Sequence, residues 1–365
     1  MKEIRKIIAA YDAIDLLSER VALAAVVDVE ASSYRRIGAR MLVRESGPWI
    51  GGISGGCLEG DALQRSRKAI FSGKAGRVVY DTLEDDAHQI GVGLGCNGRI
   101  EVLFTPIDPA DPENEIEQLK RITAAEAPTV LLKVIETSAG IGKLLGRIKM
   151  LPSGTMVDRF AGISPETLNT CVEEVRDRRR SMVYTLPLAD GEVRILAEFI
   201  RPETRLIVVG DNYDVGAMLR IAAELGWESY LVGKRKKMTR EMFALARRVV
   251  GYDEAGTLPI NDYTAVLLMT HDFSHDRRMI EIFAPGNPPY LGMLGPRKRY
   301  LKMRDELADM NLDDLPFFHA PTGLEIGAES PNEIALSIAA EVLAVLRKKS
   351  GGRLKLKQGS IHERD

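Results

Sequence analysis

The sequence predicts an α/β protein with two unlike parts: an N-terminal mixed α/β domain that carries glycine-cysteine loops, and a C-terminal Rossmann-like domain with a doubly wound parallel sheet. Two observations support this fold class. After residue 200, short apolar runs alternate with amphipathic segments, which is typical of parallel βαβ units. Before residue 110, some strand-like runs alternate polar and apolar residues, and two of the three cysteines directly follow a glycine.

Composition narrows the class of protein further. The 365 residues are 45% hydrophobic and 28% charged, which is ordinary for a globular chain of two or three domains. A formal net charge of -2 gives no reason to expect nucleic acid as the main partner. Three cysteines are too few for a disulfide framework, and no run reaches membrane-spanning length. We therefore expect a soluble cytoplasmic protein without nucleic-acid or membrane partners.

Residues 1–110 are predicted to form the N-terminal domain. The chain opens with an amphipathic helix rather than a signal peptide, because apolar residues recur at helical spacing as far as Leu17. A second helix is expected from Leu58 to Phe71. The predicted strands are Val21–Val29, Ala39–Arg44 and Arg99–Phe104. Turn residues at 108–112 then mark the end of this domain.

Residues 111–200 give the weakest pattern in the chain. Helices are expected over Glu115–Glu126 and Glu166–Arg179, with a strand over Thr129–Glu136. Cys171 falls in the second of these helices and is interpreted as structural. The region either completes the N-terminal domain or bridges the two domains.

Residues 201–349 are predicted to form the Rossmann-like domain. The first strand, Arg205–Gly210, is almost continuously apolar and leads into a helix over Val215–Leu225. The later strands are Ser229–Val232, Val249–Val250, Ala265–Met269 and Tyr290–Leu294. The later helices are expected near Arg240–Arg247, through Arg278–Phe283 and from Pro331 onward. The tail, residues 350–365, has little apolar surface and is expected to be disordered.

The two glycine-cysteine segments are the strongest candidates for a binding site. Cys57 follows Gly55 and Gly56, and Cys96 lies between Gly95 and the sequence Asn97-Gly98. Glycines allow positive φ and a close approach of the backbone to a ligand. A thiol in such a loop is accessible, and nearby cations favour its thiolate. One such cysteine alone is more simply a small apolar residue in a turn, but the pair favours a ligand-binding role.

The first turn of the Rossmann-like domain departs from the dinucleotide fingerprint. Gly210 is present, but Asn212 replaces the second glycine, and Asp211 and Asp214 add negative charge beside the helix N-terminus. The usual acid after the second strand is replaced by Gly233, which precedes the basic run Lys234–Lys237. That run either holds a 2′-phosphate or is a solvated loop. The sequence thus predicts the Rossmann architecture without ordinary NAD binding, and leaves an NADP-dependent oxidoreductase as an alternative.

Polar residues follow two later strands of the predicted parallel sheet. His271 and Asp272 come after the fourth strand, where the ligand crevice of such sheets lies. The alternative is that Asp272 or Ser274 caps the next helix. Arg297 follows the fifth strand and is placed to face an anion in the same crevice.

Together, these stretches resemble the XdhC/CoxI family, the accessory factors of xanthine dehydrogenase and related molybdenum hydroxylases. The middle region, about 110–200, contributes no matching motif. The segments that carry the resemblance are 38–42, 54–60, 95–102, 270–272, 292–295 and 319–328, which read GARML, SGGCLEG, GCNGRIEV, THD, GMLG and HAPTGLEIGA.

The resemblance implies a function as well as a fold. Members of the family are taken to bind the molybdenum cofactor, to shield it, and to assist its sulfuration and insertion into the apo-hydroxylase, without turnover of their own. Cys57 and Cys96 would then contact the cofactor, which suits a soft thiolate. A sulfur donor protein and a second copy of the chain are further partners to consider, and a pure interaction protein with incidental thiols is a third hypothesis. The basic groups that would neutralise the pterin phosphate are Arg40, Arg99, Arg297 and Lys298.

Overall fold

The computed structural model describes residues 1–31, 35–81, 98–138 and 142–358. The chain divides into two compact units, a first unit of Met1–Pro202 and a second unit of Glu203–Asp365. The first unit contains antiparallel sheets and the second contains a parallel sheet, which confirms the predicted fold class. The finer division at residues 110, 200 and 349 stays a prediction.

The first sheet of the first unit has five strands, each antiparallel to its neighbours. They are β1 (Val21–Ala31), β2 (Arg40–Arg44), β3 (Trp49–Gly51), β4 (Gly76–Asp81) and β5 (Gly98–Ile107), in the spatial order β3-β2-β1-β5-β4. Helix α2 (Glu59–Ser72) packs on one face, and α1 (Lys2–Asp12) and α3 (Glu115–Ala124) pack on the other. Because both faces are covered, β1 is buried without alternation from Val21 to Val27.

The second sheet of the first unit is built from the region with the weakest sequence pattern. Its strands are β6 (Thr129–Thr137), β7 (Ile148–Leu151), β8 (Met182–Leu188) and β9 (Gly191–Ile200), in the order β7-β6-β9-β8, and helix α4 (Pro165–Arg178) packs on it. Ile135 and Leu196 of this sheet pack with Val27 and Leu103 of the first sheet. The two sheets of the first unit therefore share a hydrophobic core.

The second unit is a six-stranded parallel sheet with helices on both faces. The strands are β10 (Arg205–Val209), β11 (Glu228–Val232), β12 (Arg248–Val250), β13 (Thr264–Leu268), β14 (Tyr290–Met293) and β15 (Phe318–His319). The helices are α5 (Val215–Leu225), α6 (Arg240–Leu245), α7 (Phe273–Phe283), α8 (Arg297–Glu306) and α9 (Pro331–Leu346). The spatial order of the strands, β12-β11-β10-β13-β14-β15, is the 3-2-1-4-5-6 order of a Rossmann sheet.

The first helix is shorter than its apolar spacing predicts. It ends at Asp12, and Leu17 is fully exposed instead of continuing the buried face. The cause is a local turn, in which the carboxylate of Asp15 accepts the N–H of Leu17 while its carbonyl accepts the N–H of Ser18. Aspartate and serine favour such turns over a continuing helix.

Candidate functional site

The first glycine-cysteine segment lies between β3 and α2, and the last residue of β3 before it must be glycine. Gly51 has a φ of 86°, and a Cβ added there would lie 2.3 Å from the carbonyl oxygen of Arg40. The next residue, Gly52, donates its N–H to the same oxygen at 2.9 Å. Only a residue without a side chain fits this close approach. The loop is therefore anchored to β2 before it reaches Cys57.

A buried carboxylate organises the rest of the loop. Glu59 accepts the N–H groups of Ser54 at 2.9 Å and Ile53 at 3.2 Å, and it also accepts the Ser54 hydroxyl. The Ser54 oxygen in turn accepts the N–H groups of Gly56 and Leu58. Burial alone would raise the pKa of Glu59, but these hydrogen bonds outweigh burial and lower the pKa. Sequence reasoning placed Glu59 within the motif and missed its role.

Cys57 follows this loop as a free, half-buried cysteine. Its side chain packs against the core between the first sheet and α2, and the preceding Gly56 has a φ of 116°. Gly55 is exposed beside it. Gly95 and Cys96 lie outside the described residues, whereas Gly98 begins β5 and is buried. A joint role for both thiols stays a prediction.

We call residues 52–58, between β3 and α2, the glycine loop. A cavity of about 710 Å³ opens beside this loop, and we call it the loop cavity. Its volume lies in the range that is usual for small-molecule sites. Cys57 is not among the residues that line it, but the residue before it is. The lining residues are Lys2, Glu3, Lys6, Arg35, Trp49, Ile50, Gly51, Gly52, Ser54, Gly56 and Glu59.

The structure does not favour the phosphate contact expected of Arg40. Its side chain is only 1% exposed and is bonded to Glu198 and Glu115, with a 3.0 Å contact to each. Lys133 completes the group by donating to Glu115 at 2.6 Å. Moving Arg40 to an anion would leave one of the two buried carboxylates without a positive partner, since Lys133 balances only the other, and that loss has a large energetic cost. Arg40 therefore forms buried ion pairs that connect β2 of the first sheet with α3 and with β9 of the second sheet.

The other predicted phosphate ligands occupy different settings. Arg99 contacts the carboxylates of Glu101 at 3.2 Å and Glu30 at 3.5 Å. Arg297 and Lys298 belong to the second unit, where they are exposed in the first turn of α8. An anionic ligand at α8 remains compatible with these two side chains, whereas Arg99 already has partners of opposite charge.

In the second unit, the first turn of the Rossmann sheet is filled by its own side chains. A Cβ on Gly210 would lie 2.5 Å from the carbonyl oxygen of Met269, so the first glycine is required for strand packing. Asn212 donates from its side chain to the carbonyl of Thr270 at 3.0 Å. The residue that replaces the second fingerprint glycine thus ties two neighbouring βα loops together.

Asp211 places a negative charge beside the basic run that was considered for a 2′-phosphate. Its buried carboxylate accepts the N–H of Lys234 at 2.8 Å and the hydroxyl of Tyr252 at 3.2 Å. The Lys237 ammonium lies 3.3 Å from its other oxygen. This arrangement neutralises part of the run and opposes a bound phosphate, so the geometry does not favour an NADP site.

His271 and Asp272 have separate partners. The imidazole Nε2 of His271 lies 2.7 Å from Asp214, and His271 has a left-handed backbone with a φ of 57°. Asp272 is the N-cap of α7 and accepts the N–H of His275 at 2.9 Å. That backbone hydrogen bond is the main cause of the lowered pKa of Asp272. The helix-capping interpretation of Asp272 therefore fits the structure, whereas the His271 side chain is half-exposed beside the carboxylate of Asp214.

These observations define a class of protein: a two-unit α/β protein that joins an antiparallel unit with a glycine-cysteine loop to a Rossmann sheet with an altered phosphate turn. Among the described residues, no cluster of three or more His, Cys, Asp or Glu side chains is arranged to hold a metal ion. Over the same residues, no helix combines the length and apolarity needed to cross a membrane.

Comparison with known proteins agrees with this class. Residues 206–342 match the family model described as the XdhC Rossmann domain, and residues 17–81 match the model of the XdhC and CoxI family. A solved structure described as a xanthine dehydrogenase from Bacillus halodurans is similar over 97% of this chain and 98% of its own, with a TM-score of 0.74 and 26% identity. The chain belongs to the XdhC/CoxI family.

Two curated relatives extend over most of the chain. One, from Bacillus subtilis (strain 168), is described as a probable xanthine dehydrogenase subunit; it is 27% identical over 329 residues, which cover 89% of this chain and 93% of the relative. The other, the molybdenum cofactor insertion chaperone PaoD of Escherichia coli (strain K12), is 23% identical over 329 residues, which cover 88% of this chain and 82% of the relative.

Proposed function

We propose that this protein is a cytoplasmic accessory factor that binds the molybdenum cofactor and assists its sulfuration and its insertion into a molybdenum hydroxylase of the xanthine dehydrogenase type. The observation that carries the proposal is the glycine loop, which is held rigid by Glu59 and borders the loop cavity immediately before the free thiol of Cys57. The likeness to a named cofactor insertion chaperone supports the same function.

The residues at the loop fit the chemistry of this group. A cysteine thiolate is a soft ligand that suits a molybdenum centre or a sulfur atom in transfer. Lys2, Lys6 and Arg35 line the cavity and can balance an anionic ester. The bound cofactor would supply its chemistry later, in the client enzyme, while this chain holds and shields it. We assign no catalytic residue to the accessory factor.

The partners follow from this role. The first is the apo form of a molybdenum hydroxylase, since both curated relatives carry names connected with such enzymes or their cofactor. A sulfur donor protein and a second copy of this chain are further partners that we propose on the same grounds. Cys96 is proposed as a second thiol of the site.

The test is the pterin content of the purified protein. The chain is produced with an active cofactor pathway, purified without oxygen and oxidised, and the fluorescent pterin derivative is measured per chain. We expect near-stoichiometric pterin in the native protein and a loss of most of it in Cys57→Ala. Cys171→Ala is the matched control, because that thiol is buried in α4 and packs in the core.

Two results would contradict the proposal. One is a folded native protein that carries no pterin after production with the active pathway. The other is equal pterin in native protein, Cys57→Ala and Cys171→Ala, which would remove Cys57 from the site. A parallel measurement on Cys96→Ala decides whether the second thiol takes part.

A further inference from the structure

The loop cavity has an excess of positive charge that the sequence did not reveal. Lys2 and Lys6 are four residues apart on α1, so they lie on the same face of that helix. Both line the cavity together with Arg35. Two carboxylates also line it, but Glu59 is directed to the N–H groups of the loop. The lining therefore has one more positive than negative charge, close to the glycine backbone.

The remaining carboxylate is held by a pair that an anion can replace. Glu3 accepts from the Arg35 guanidinium through both of its oxygens. Both side chains are partly exposed, so water screens the attraction between them. A phosphate ester offers a guanidinium the same two-oxygen geometry with a larger charge. Arg35 can therefore exchange Glu3 for a phosphate without leaving a buried charge behind.

The cavity also has an aromatic wall. Trp49 is 44% exposed and is the first residue of β3, an edge strand whose three residues are all exposed. An exposed indole at the wall of an open cavity is a typical contact for a planar ring, because aromatic side chains stack on flat heterocycles with little dependence on their substituents. Ile50 adds a second exposed apolar side chain to the same lining.

We propose that the loop cavity binds a planar heterocycle that carries a phosphate ester, with the ring against Trp49 and the phosphate at Lys2, Lys6 and Arg35. This inference rests on the proposed function and assigns the phosphate end of its ligand to α1 and Arg35. It replaces Arg40, whose buried ion pairs with Glu115 and Glu198 are described above.

The test uses the indole itself as the reporter. The chain has two tryptophans, Trp49 in the first unit and Trp227 in the second, so Trp227→Phe leaves Trp49 as the only tryptophan emitter. This protein is titrated with neopterin 3′-monophosphate, with neopterin as the probe that lacks phosphate, and with glycerol 3-phosphate as the probe that lacks the ring. We expect saturable quenching by both pterins, with at least tenfold tighter binding of the phosphorylated one.

Charge variants distinguish direct phosphate binding from long-range attraction by the positive charge of α1. Lys6→Gln should weaken neopterin monophosphate binding by three- to tenfold and leave neopterin binding unchanged, and Lys6→Arg should restore it. Arg5→Gln is the matched control, because it removes one charge from the same helix at a residue that does not line the cavity. Equal affinity for the two pterins, or equal effects of Lys6→Gln and Arg5→Gln, would overturn the phosphate assignment. Unchanged Trp49 emission at saturating probe would overturn the ring assignment.

The outcome is distinguishable from failure of the proposed function. Retention of co-purified pterin in Lys6→Gln, combined with its loss in Cys57→Ala, would keep the function and place the phosphate elsewhere. Absence of co-purified pterin in every protein, combined with specific quenching by the phosphorylated probe, would keep this binding site and remove the accessory function.

Discussion

Removing the charge of Arg40 should destabilise the first unit far more than removing the charge of Arg44, although both lie on β2 and both form ion pairs. The Arg40 side chain is 1% exposed, whereas that of Arg44 is 42% exposed and pairs with Glu19. Loss of one partner from a buried ion pair costs about 3–5 kcal/mol, because the other charge stays buried. Loss of an exposed pair costs about 0–1 kcal/mol. We therefore expect Arg40→Met to cost at least ~3 kcal/mol and Arg44→Met less than ~1 kcal/mol.

Urea unfolding in a Trp227→Phe background measures this difference, since Trp49 then reports on the first unit alone. With a slope of about 2–3 kcal/mol per molar urea, the midpoint of Arg40→Met should fall by about 1–2 M. Free energies of unfolding for Arg40→Met and Arg44→Met that agree within about 0.5 kcal/mol would refute the reasoning, because burial would then have no energetic consequence at this site.

A double variant gives an independent check on the cause. In Arg40→Met, the buried group keeps Glu115, Glu198 and Lys133, and therefore has one unbalanced negative charge. The double variant Arg40→Met with Glu198→Met removes that charge and should recover at least half of the loss, because apolar side chains can replace a buried ion pair.

Three further predictions concern the loop and the Rossmann turn. Glu59→Gln should lower the free energy of unfolding by about 1–3 kcal/mol at pH 7, measured by urea unfolding. Because folding lowers the pKa of Glu59, the stabilisation by its carboxylate is fully present above the pKa of an unfolded glutamate, about 4.3. The difference in stability between Glu59→Gln and the native protein should therefore narrow as the pH falls below that value. Gly51→Ala should abolish pterin retention, since the added Cβ would clash with the carbonyl oxygen of Arg40. Gly60→Ala in α2 is the control: its Cβ meets nothing within 4 Å, so calorimetry should show native stability and the pterin assay native pterin content. NADPH at millimolar concentration should not bind, because the Asp211 carboxylate contacts the Lys234 N–H and the Lys237 ammonium. Saturable NADPH binding that is lost on charge reversal of Lys234–Lys237 would support the oxidoreductase instead.

The parallel sheet was predictable because its strands are buried on both faces. Such strands read as short, continuous apolar runs, and the helices between them supply a second period that separates one run from the next. The antiparallel hairpin of Met182–Leu188 and Gly191–Ile200 lacked that signal. Its first strand is an edge strand with mixed exposure, and it contains Pro187, a residue that normally argues against a strand unless it lies at an edge.

The candidate site was predictable only in its backbone. Glycines beside a cysteine reveal a tight loop, because few other residues adopt positive φ at such points. The partners of Arg40 were not visible, since Glu115 and Glu198 lie 75 and 158 residues away in the chain. Its own strand also reads as half-exposed from the alternation of residues, although helices on both faces of the first sheet bury it. A basic residue next to a motif therefore gave no indication of whether its charge was free or buried.

The opening helix shows how a structural pattern can carry a functional one. Ile7 and Tyr11 are buried and fix the rotation of α1 against the first sheet, and Ile7 comes within contact distance of the position a side chain on Gly51 would take. Because a helix turns about 100° per residue, this apolar face also determines where Lys2 and Lys6 lie. The same packing that stabilises α1 thus directs two cations to the loop cavity. A change at Ile7 should therefore weaken phosphate binding through the position of these lysines, even though an isoleucine itself contributes nothing to an anion.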